Sequence, residues 1–431
     1  MDEKLVARVL SFRWLVFAVL ALAYCLVYFH RVSLSVVAND LVKDFNVSAS
    51  VIGLLGSVYF YCYAAMQIPS GLLSDSVGPR KTVTFSLLIA AVGSLLFGLA
   101  PNVTVAVLAR AMVGLGVSMV FIPTMKILAQ WFRAREFAPM SGFMQAAGGV
   151  GVLAGTWLLG LLAMHVGWRA SFQIIAGCTL AIIAAAWLIV RDRPTDKGWP
   201  SVAEIEGHEN QTTATAGSRI GLRQAMRMVL SERYFWPVGI WFFFDCGIFF
   251  GFGSLWSGPY LMHTYGLTKA QAGAILSTIA WGMVIGGPFL GWLSQKVLHS
   301  RKKAIMLCMT VLAALLLLAT IFPASLSRPM LVAWFFVFSV CSSAVVVVGF
   351  TTAKELFPVE IAGTSVGMVN FFPFFGGAVF MPLLGRVLDV YEKSPAGQYP
   401  VAAYRVIMLV LLFTAVAALT CTFLMKETYR K

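Results

Sequence analysis

Five ionisable side chains lie inside long apolar runs of this 431-residue chain: His30, Arg31, Arg110, Lys126 and Asp245. A charge held at the centre of a bilayer costs at least about 2.5 kcal/mol, so such groups line a wet cavity or pair with one another. Arg31 and Arg110 carry the most specific chemistry. A guanidinium donates two parallel hydrogen bonds to a carboxylate or phosphate and stays charged at any working pH. Both arginines fall roughly 10 Å from the outer end of their runs at 1.5 Å per residue, a depth at which they would grip one anion. Lys126 and Asp245 fall nearer the opposite face. Asp245 heads a stripe with Phe249, Phe252 and Trp256, so a carboxyl lies beside aromatic surface with a lysine in its layer. That setting suits proton uptake and release, and Asp245, Lys126 and His30 are the candidates for proton coupling. Lys126 follows Arg110 by sixteen residues, about 160° around an ideal helix, so both face one cavity only if the helix is rewound near Pro123.

A second set of polar and aromatic residues recurs at helical spacing. Tyr59, Tyr63 and Gln67 repeat every four residues, and Gln145, Asn370 and Trp256 lie in other apolar runs. All are candidates for substrate contact; helix packing is the alternative reading of such stripes.

The elements that position these residues follow from composition. The chain is 59% hydrophobic and only 12% charged, with a net charge of +14, too little polar surface to coat a soluble globule of this size. Apolar runs occur near 14–38, 51–73, 83–100, 104–130, 140–164, 171–190, 235–262, 269–294, 304–322, 330–353, 362–388 and 403–425. Each is long enough for a transmembrane helix of roughly 20 residues, and their continuity excludes the alternating pattern of a barrel strand. The expected fold is therefore an all-α membrane protein of twelve transmembrane helices. Most basic residues, among them Arg80, Lys81, Arg133, Arg135, Arg301, Lys302 and Lys303, fall on one side. The positive-inside bias puts both termini in the cytoplasm and makes the net charge a topology signal, not a sign of nucleic-acid binding. The run after Lys4, Arg8 and Arg13 is too long for the core of a cleaved signal peptide. The seven cysteines lie within the runs without metal-ligand spacing and read as packing residues.

One long polar segment, 191–233, divides the chain into halves of six helices, 1–190 and 234–431. Within it, Leu222 to Met228 forms either a short amphipathic helix on the inner membrane surface or part of a mobile linker. The halves repeat. Aligning Gly71 with Gly291 also pairs Gly53 with Gly273, Ser57 with Ser277 and Leu73 with Leu293; a slightly larger shift pairs Gly142 with Gly367, Gln145 with Asn370 and Gly160 with Gly385. Two parallel repeats about an axis along the membrane normal are the plan of a large transporter class, with the substrate site near the midplane between them.

Over nearly its whole length the chain resembles the major facilitator superfamily. The segment Gly71-Leu72-Leu73-Ser74-Asp75-Ser76-Val77-Gly78-Pro79-Arg80-Lys81 is similar to that family's loop signature between helices two and three, and Gly291-Trp292-Leu293-Ser294 with Arg301-Lys302 is a degenerate copy between helices eight and nine. The resemblance implies a gating role for Gly71, Asp75, Gly78, Arg80, Lys81 and Glu136. Asp75 would face the positive N-terminal end of helix eleven near Ala362 to Thr364, and Arg80 and Lys81 would pair with Glu136. More narrowly, Arg191-Asp192-Arg193-Pro194 with Gly198 and Pro200 resembles the central loop of organophosphate:phosphate antiporters. Arg31 sits where those antiporters and the anion:cation symporters carry a functional arginine, and Arg110 where such an arginine is also found. Where both groups have a further arginine in helix seven, this chain reads Phe250-Gly251-Phe252-Gly253, a departure that speaks against strict phosphate-ester exchange.

No G-x-x-x-x-G-K-[ST] loop and no nucleophile or metal constellation occurs, so the energy source is expected to be an ion gradient, with no cofactor and no enzymatic step. The expectation is a monomeric inner-membrane transporter, a proton-coupled symporter of a small organic anion such as a carboxylate or sugar acid. Proton-driven efflux of an amphipathic metabolite or drug is the main rival, although helix five lacks the Gly-Pro of drug antiporters. A transporter-like membrane sensor is the third reading.

Overall fold

The computed structural model describes residues 3–206, 222–395 and 397–429. It is helical, and no strand occurs among these residues. Ten helices are long and apolar enough to cross a membrane. One of these, Met140–Ile189, is 50 residues long and is divided at Gly167, whose φ of 80° breaks the helical path. A further apolar helix, Ala49–Ala65, falls short of span length because it is interrupted at Met66. Twelve crossings result.

In chain order, α1 is Glu3–Val32 continued by Leu34–Phe45. Next come α2, Ala49–Ala65 with Gln67–Ser76; α3, Pro79–Leu99; and α4, Val103–Ser118 with Phe121–Trp131. The helix starting as Ala134–Leu153 is α5, and α6 follows Gly167 to Ile189. The second half holds α7 from Phe235–Ile248 to Ser257–Tyr265, α8 from Lys269–Leu276 to Thr278–Trp292, and α9, Arg301–Ile321. It closes with α10 from Arg328–Ser339 to Val346–Glu355, α11 as Val359–Val369 with Phe371–Asp389, and α12, Val401–Leu424.

Three of the interruptions have one cause. A proline has no N–H to give the carbonyl four residues back, and its ring crowds that carbonyl. Pro69 follows the break at Met66, Pro123 the break at Met119–Val120, and Pro373 the break at Asn370. The interruption near Pro123 is the condition under which Arg110 and Lys126 could face one cavity.

The chain crosses an even number of times, so both termini lie at one end of the bundle, here the terminal end; the other is the distal end. At the distal end the halves are in backbone contact at glycines. A Cβ on Gly53 would lie 2.5 Å from Pro382 Cα, and one on Gly385 2.6 Å from the Ala49 carbonyl oxygen, both between α2 and α11. Their repeat mates form the same contacts between α8 and α5: a Cβ on Gly273 would lie 2.9 Å from the Thr156 carbonyl oxygen, and one on Gly160 3.2 Å from that of Lys269. The glycine alignment read from sequence therefore corresponds to a physical two-fold. The Asp389 carboxylate adds a cap on α2, accepting from Ala49 N at 2.7 Å and Ser50 N at 2.8 Å, and Lys269 Nζ binds both oxygens of Asp40 at 2.6 Å.

Toward the terminal end, Gly71, Gly291, Gly142 and Gly367 have nothing among the described residues within 4 Å of where a Cβ would be. These are the same two pairs of repeat mates, on α2 and α8 and on α5 and α11. The halves are closed together distally and apart at these four positions.

The linker helix Leu222–Ser231 packs Ala225 and Val229 against the start of α11. Trp199, earlier in the linker, packs edge-on against Phe12 and Trp131 of the first half. All seven cysteines are free thiols.

Candidate functional site

Arg31 lies at the junction of the two halves. Its guanidinium carbon is 4.3 Å from the ring centre of Tyr28 and 5.1 Å from that of Tyr63, both in the first half, and 5.6 Å from Phe250 and 5.2 Å from Phe374, both in the second. The Tyr59 and Tyr63 side chains are also in polar contact with it. The rings pack on one another, Tyr63 against Phe374 at 4.1 Å and Phe60 against Phe250 at 4.7 Å, so the cage is a continuous aromatic cluster. Arg31 is 6% exposed and its Nε has no hydrogen-bond partner. Among the described residues no ion pair includes it. A buried cation without a counter-charge is costly, and aromatic faces offset only part of that cost.

Arg110 is placed differently from the sequence expectation. Its Nη2 donates to the His30 carbonyl at 3.2 Å, and its guanidinium lies 5.0 Å from the Tyr59 ring and 5.8 Å from Phe97. Those partners all belong to the first half. Arg110 shares depth with Arg31 but points into the interior of its own bundle, with Tyr59 touching both arginines, so the two do not form one clamp at the junction. Tyr59 also donates to the Val27 carbonyl at 3.3 Å. The His30 ring is buried beside Phe29 and Phe172, and neither ring nitrogen has a partner.

One turn from the cage, toward the terminal end, Asn370 Nδ2 donates to Gln67 Oε1 at 2.8 Å, joining α11 to α2. Gln67 Nε2 donates in turn to the Tyr63 carbonyl at 3.3 Å. Gln145, the repeat mate of Asn370, accepts from the Tyr24 hydroxyl at 2.7 Å and does not reach across the junction in that way. Trp256 lies elsewhere. It lines a distal cavity of about 790 Å³ with Asp40, Lys43, His263, Lys269 and Lys393, and its indole N–H donates to the Met381 carbonyl at 3.0 Å.

The expected layer of Lys126 and Asp245 does not form a pair. Lys126 Nζ donates to the Gly71 carbonyl at 3.2 Å, within the first half. Asp245 is fully buried in the second half near Cys341 of α10 and Cys308 of α9, and neither carboxyl oxygen has a partner among the described residues.

At the terminal end, Glu136 pairs with Arg13 of α1, not with Arg80 or Lys81, through contacts of 2.7 and 3.2 Å, and also accepts from Arg133 N at 3.0 Å. Burial pushes the Glu136 carboxyl up, but the Arg133 N–H and the Arg13 guanidinium outweigh it and hold the group below the ordinary carboxylate range. Arg80 turns to the linker: its backbone N–H donates to Asp192 at 2.6 Å, while its side chain covers the Trp187 ring at 4.4 Å and donates to the Trp187 carbonyl. Lys81 is exposed. Gly78, at φ 100°, makes the turn into α3, and a Cβ there would lie 2.9 Å from the Asp192 carboxylate. The side chain of Asp75 and those of Ala362 and Gly363 lie outside the described residues.

Sequence reasoning passed over Tyr24, Tyr28 and Phe374. A signal for each was present. Tyr28 precedes Arg31 by three residues and Tyr24 precedes Tyr28 by four, and Phe374 follows Asn370 by four, so all three share a helix face with a residue already singled out.

A twelve-helix membrane protein of two repeated bundles, with a buried arginine where the bundles meet, fits the plan of secondary transporters. The chain belongs to the Major Facilitator Superfamily, whose model matches residues 20–258 and 246–431. It is 25% identical over 410 residues to the Chlamydia trachomatis protein named Probable hexose phosphate transport protein, covering 90% of this chain and 87% of that one. It is also 25% identical over 402 residues to the Escherichia coli protein named Probable galactarate/D-glucarate transporter GarP, covering 86% of each, and 25% identical over 386 residues to the Escherichia coli protein named Membrane sensor protein UhpC, covering 86% and 85%. Among solved structures, a bacterial homologue of the human lysosomal transporter Spinster matches with a TM-score of 0.76 at 18% identity, covering 96% of both chains.

Proposed function

We propose that this protein is a proton-coupled symporter that carries a small organic anion into the cell by alternating access of its halves, 1–190 and 234–431, joined by the 191–233 linker. The observation that carries the reading is Arg31: a buried guanidinium at the junction, ringed by both halves and lacking a carboxylate partner, which an anionic substrate would supply. The relatives named for hexose phosphate and for galactarate and D-glucarate support an anion. Asp245 is the proton-binding acid, since it is a buried carboxyl with no partner among the described residues and binding a proton neutralises it. The basic residues at the terminal end orient that end toward the cytoplasm of an inner membrane. In the present state the distal glycines are closed and Gly71, Gly142, Gly291 and Gly367 are apart, as expected of a conformation reached from the cytoplasm. Tyr59, Tyr63, Gln67 and Asn370 serve the site as its walls and floor.

Proteoliposomes given a panel of radiolabelled organic acids under an inward proton gradient test this directly. Accumulation that collapses with the gradient is the expected result; uptake indifferent to the gradient, or net expulsion, would overturn it. A second reading, a sensor, is favoured by the likeness to UhpC and by the exposed Arg223 and Arg227 of the linker helix. It predicts ligand binding without accumulation in the same vesicles.

A further inference from the structure

The chemistry around Arg31 narrows the substrate further, resting on the reading of Arg31 as an anion site. We infer that the site selects a monocarboxylate with an apolar, ring-bearing body over polyhydroxylated or doubly charged anions.

Three observations converge on this class. First, one guanidinium serves the junction. Arg110 points into the first half, where its Nη2 donates to the His30 carbonyl beside Tyr59 and Phe97 while its Nε and Nη1 have no partner among the described residues, and Lys126 reaches the Gly71 carbonyl of the same half, so of these three cations only Arg31 is ringed by both halves where a second anionic charge on the substrate would lie. Second, the second half faces Arg31 with Phe250 and Phe374, stacked at 6.1 Å and 15°, and neither side chain has a donor or acceptor. Third, the polar groups beside the cage already have partners: Gln67 with Asn370, Gln145 with Tyr24, and the Tyr59 and Tyr63 side chains with Arg31 itself. Each hydroxyl of a sugar acid would have to displace one of those bonds or be buried unpaired, which is unfavourable. A ring suffers neither penalty. Aromatic faces accept a further ring in offset or edge contact with centroids about 4.5 to 7 Å apart, the spacing of Phe60 with Phe250 at 4.7 Å and of Phe250 with Phe374 at 6.1 Å.

The test is equilibrium binding to the full-length protein in lipid nanodiscs, by calorimetry, with 3-phenylpropionate, gluconate, glucarate and glucose 6-phosphate as probes. We expect 3-phenylpropionate to bind at least about tenfold more tightly than the other three. Phe374→Leu, which keeps an apolar side chain, should weaken 3-phenylpropionate about tenfold and leave gluconate unchanged. Arg31→Gln should remove binding of every probe. Should gluconate, glucarate or glucose 6-phosphate bind as tightly as 3-phenylpropionate and depend on Arg31, the ring preference falls and the anion site stands. Should no probe bind, or binding survive Arg31→Gln, both fall. The ranking on the unaltered protein decides the matter even where a Phe374 variant fails to fold.

Discussion

Asn370 and Gln67 meet at 2.8 Å across the two halves, one helical turn from the rings that enclose Arg31. Their positions follow from the cage: Gln67 is four residues after Tyr63, and Asn370 four before Phe374, so the amide pair forms a polar layer beneath the aromatic cluster. The layer lies on the terminal-end side, where the glycines stand apart.

A double-mutant cycle measures that bond. Gln67→Ala and Asn370→Ala should each destabilise the present conformation, and the double variant should cost little more than either alone. The expected coupling is about 0.5 to 1.5 kcal/mol by thermal unfolding. Strict additivity would show that the amides act independently.

Asp245 should separate coupling from binding. Asp245→Asn keeps the shape of the neutral acid and removes its proton, so gradient-driven accumulation should be lost while substrate counterflow without a gradient persists. Accumulation at the unaltered level would remove Asp245 from the coupling step. The side chain is fully buried and both oxygens lack partners, so the neutral amide fits without stranding an opposite charge.

The paired glycines predict opposite effects at the two ends. A Cβ at Gly385 would meet the Ala49 carbonyl at 2.6 Å, so Gly385→Ala should weaken distal closure and raise labelling of a single cysteine placed in the distal cavity. At the terminal end Gly71 follows Gln67 by four residues and Gly367 precedes Asn370 by three, so both lie about one turn beyond that amide pair, where the halves would approach in the alternate state. Gly71→Leu should leave thermal stability within about 0.5 kcal/mol, since the position is open, while cutting transport by roughly tenfold or more if the alternate state needs this approach. Unimpaired transport in Gly71→Leu would show that the glycine does not close.

Acid should loosen the terminal end. The Glu136 carboxyl is held below the ordinary range by Arg133 N–H and Arg13, and Glu427 likewise by the Ser300 hydroxyl and the N–H groups of Tyr429, Arg301 and Thr428, in each case against the upward push of burial. A depressed carboxyl contributes stability that is fully present above its unfolded value, near pH 4.3, and is lost as pH falls through the folded one. Stability should therefore decline on acidification below about pH 4.5, and the Glu136→Gln, Glu427→Gln double variant should show a shallower decline. An unchanged slope would mean that these two acids do not govern it.

Much of the fold was legible because membrane helices must be continuous, apolar and about 20 residues long, and because glycines at backbone contacts repeat between halves. Gly53 with Gly273 and Gly160 with Gly385 could be aligned from sequence and prove to be the contact points. The site was legible in depth but not in azimuth. Rise along a helix puts Arg31 and Arg110 at one level, whereas which way each points depends on how α1 and α4 pack, and that is a tertiary property. The proline breaks in α2, α4 and α11 also reset the angular register, so an ideal-helix count from Arg110 to Lys126 cannot place the lysine. Glu136 was assigned to Arg80 and Lys81 by analogy with a loop; its partner Arg13 lies 123 residues away, and no spacing rule reaches that far.

The central claim is that an anion neutralises Arg31. Uptake of the best-bound monocarboxylate into proteoliposomes under an inward proton gradient, compared between the unaltered protein, Arg31→Lys and Arg31→Gln at equal reconstituted amounts, tests it most directly. Loss of uptake by about a hundredfold in Arg31→Gln, with partial retention in Arg31→Lys, is the expected result, since the lysine keeps the charge but not the fork. Uptake in Arg31→Gln equal to that of the unaltered protein would contradict the account.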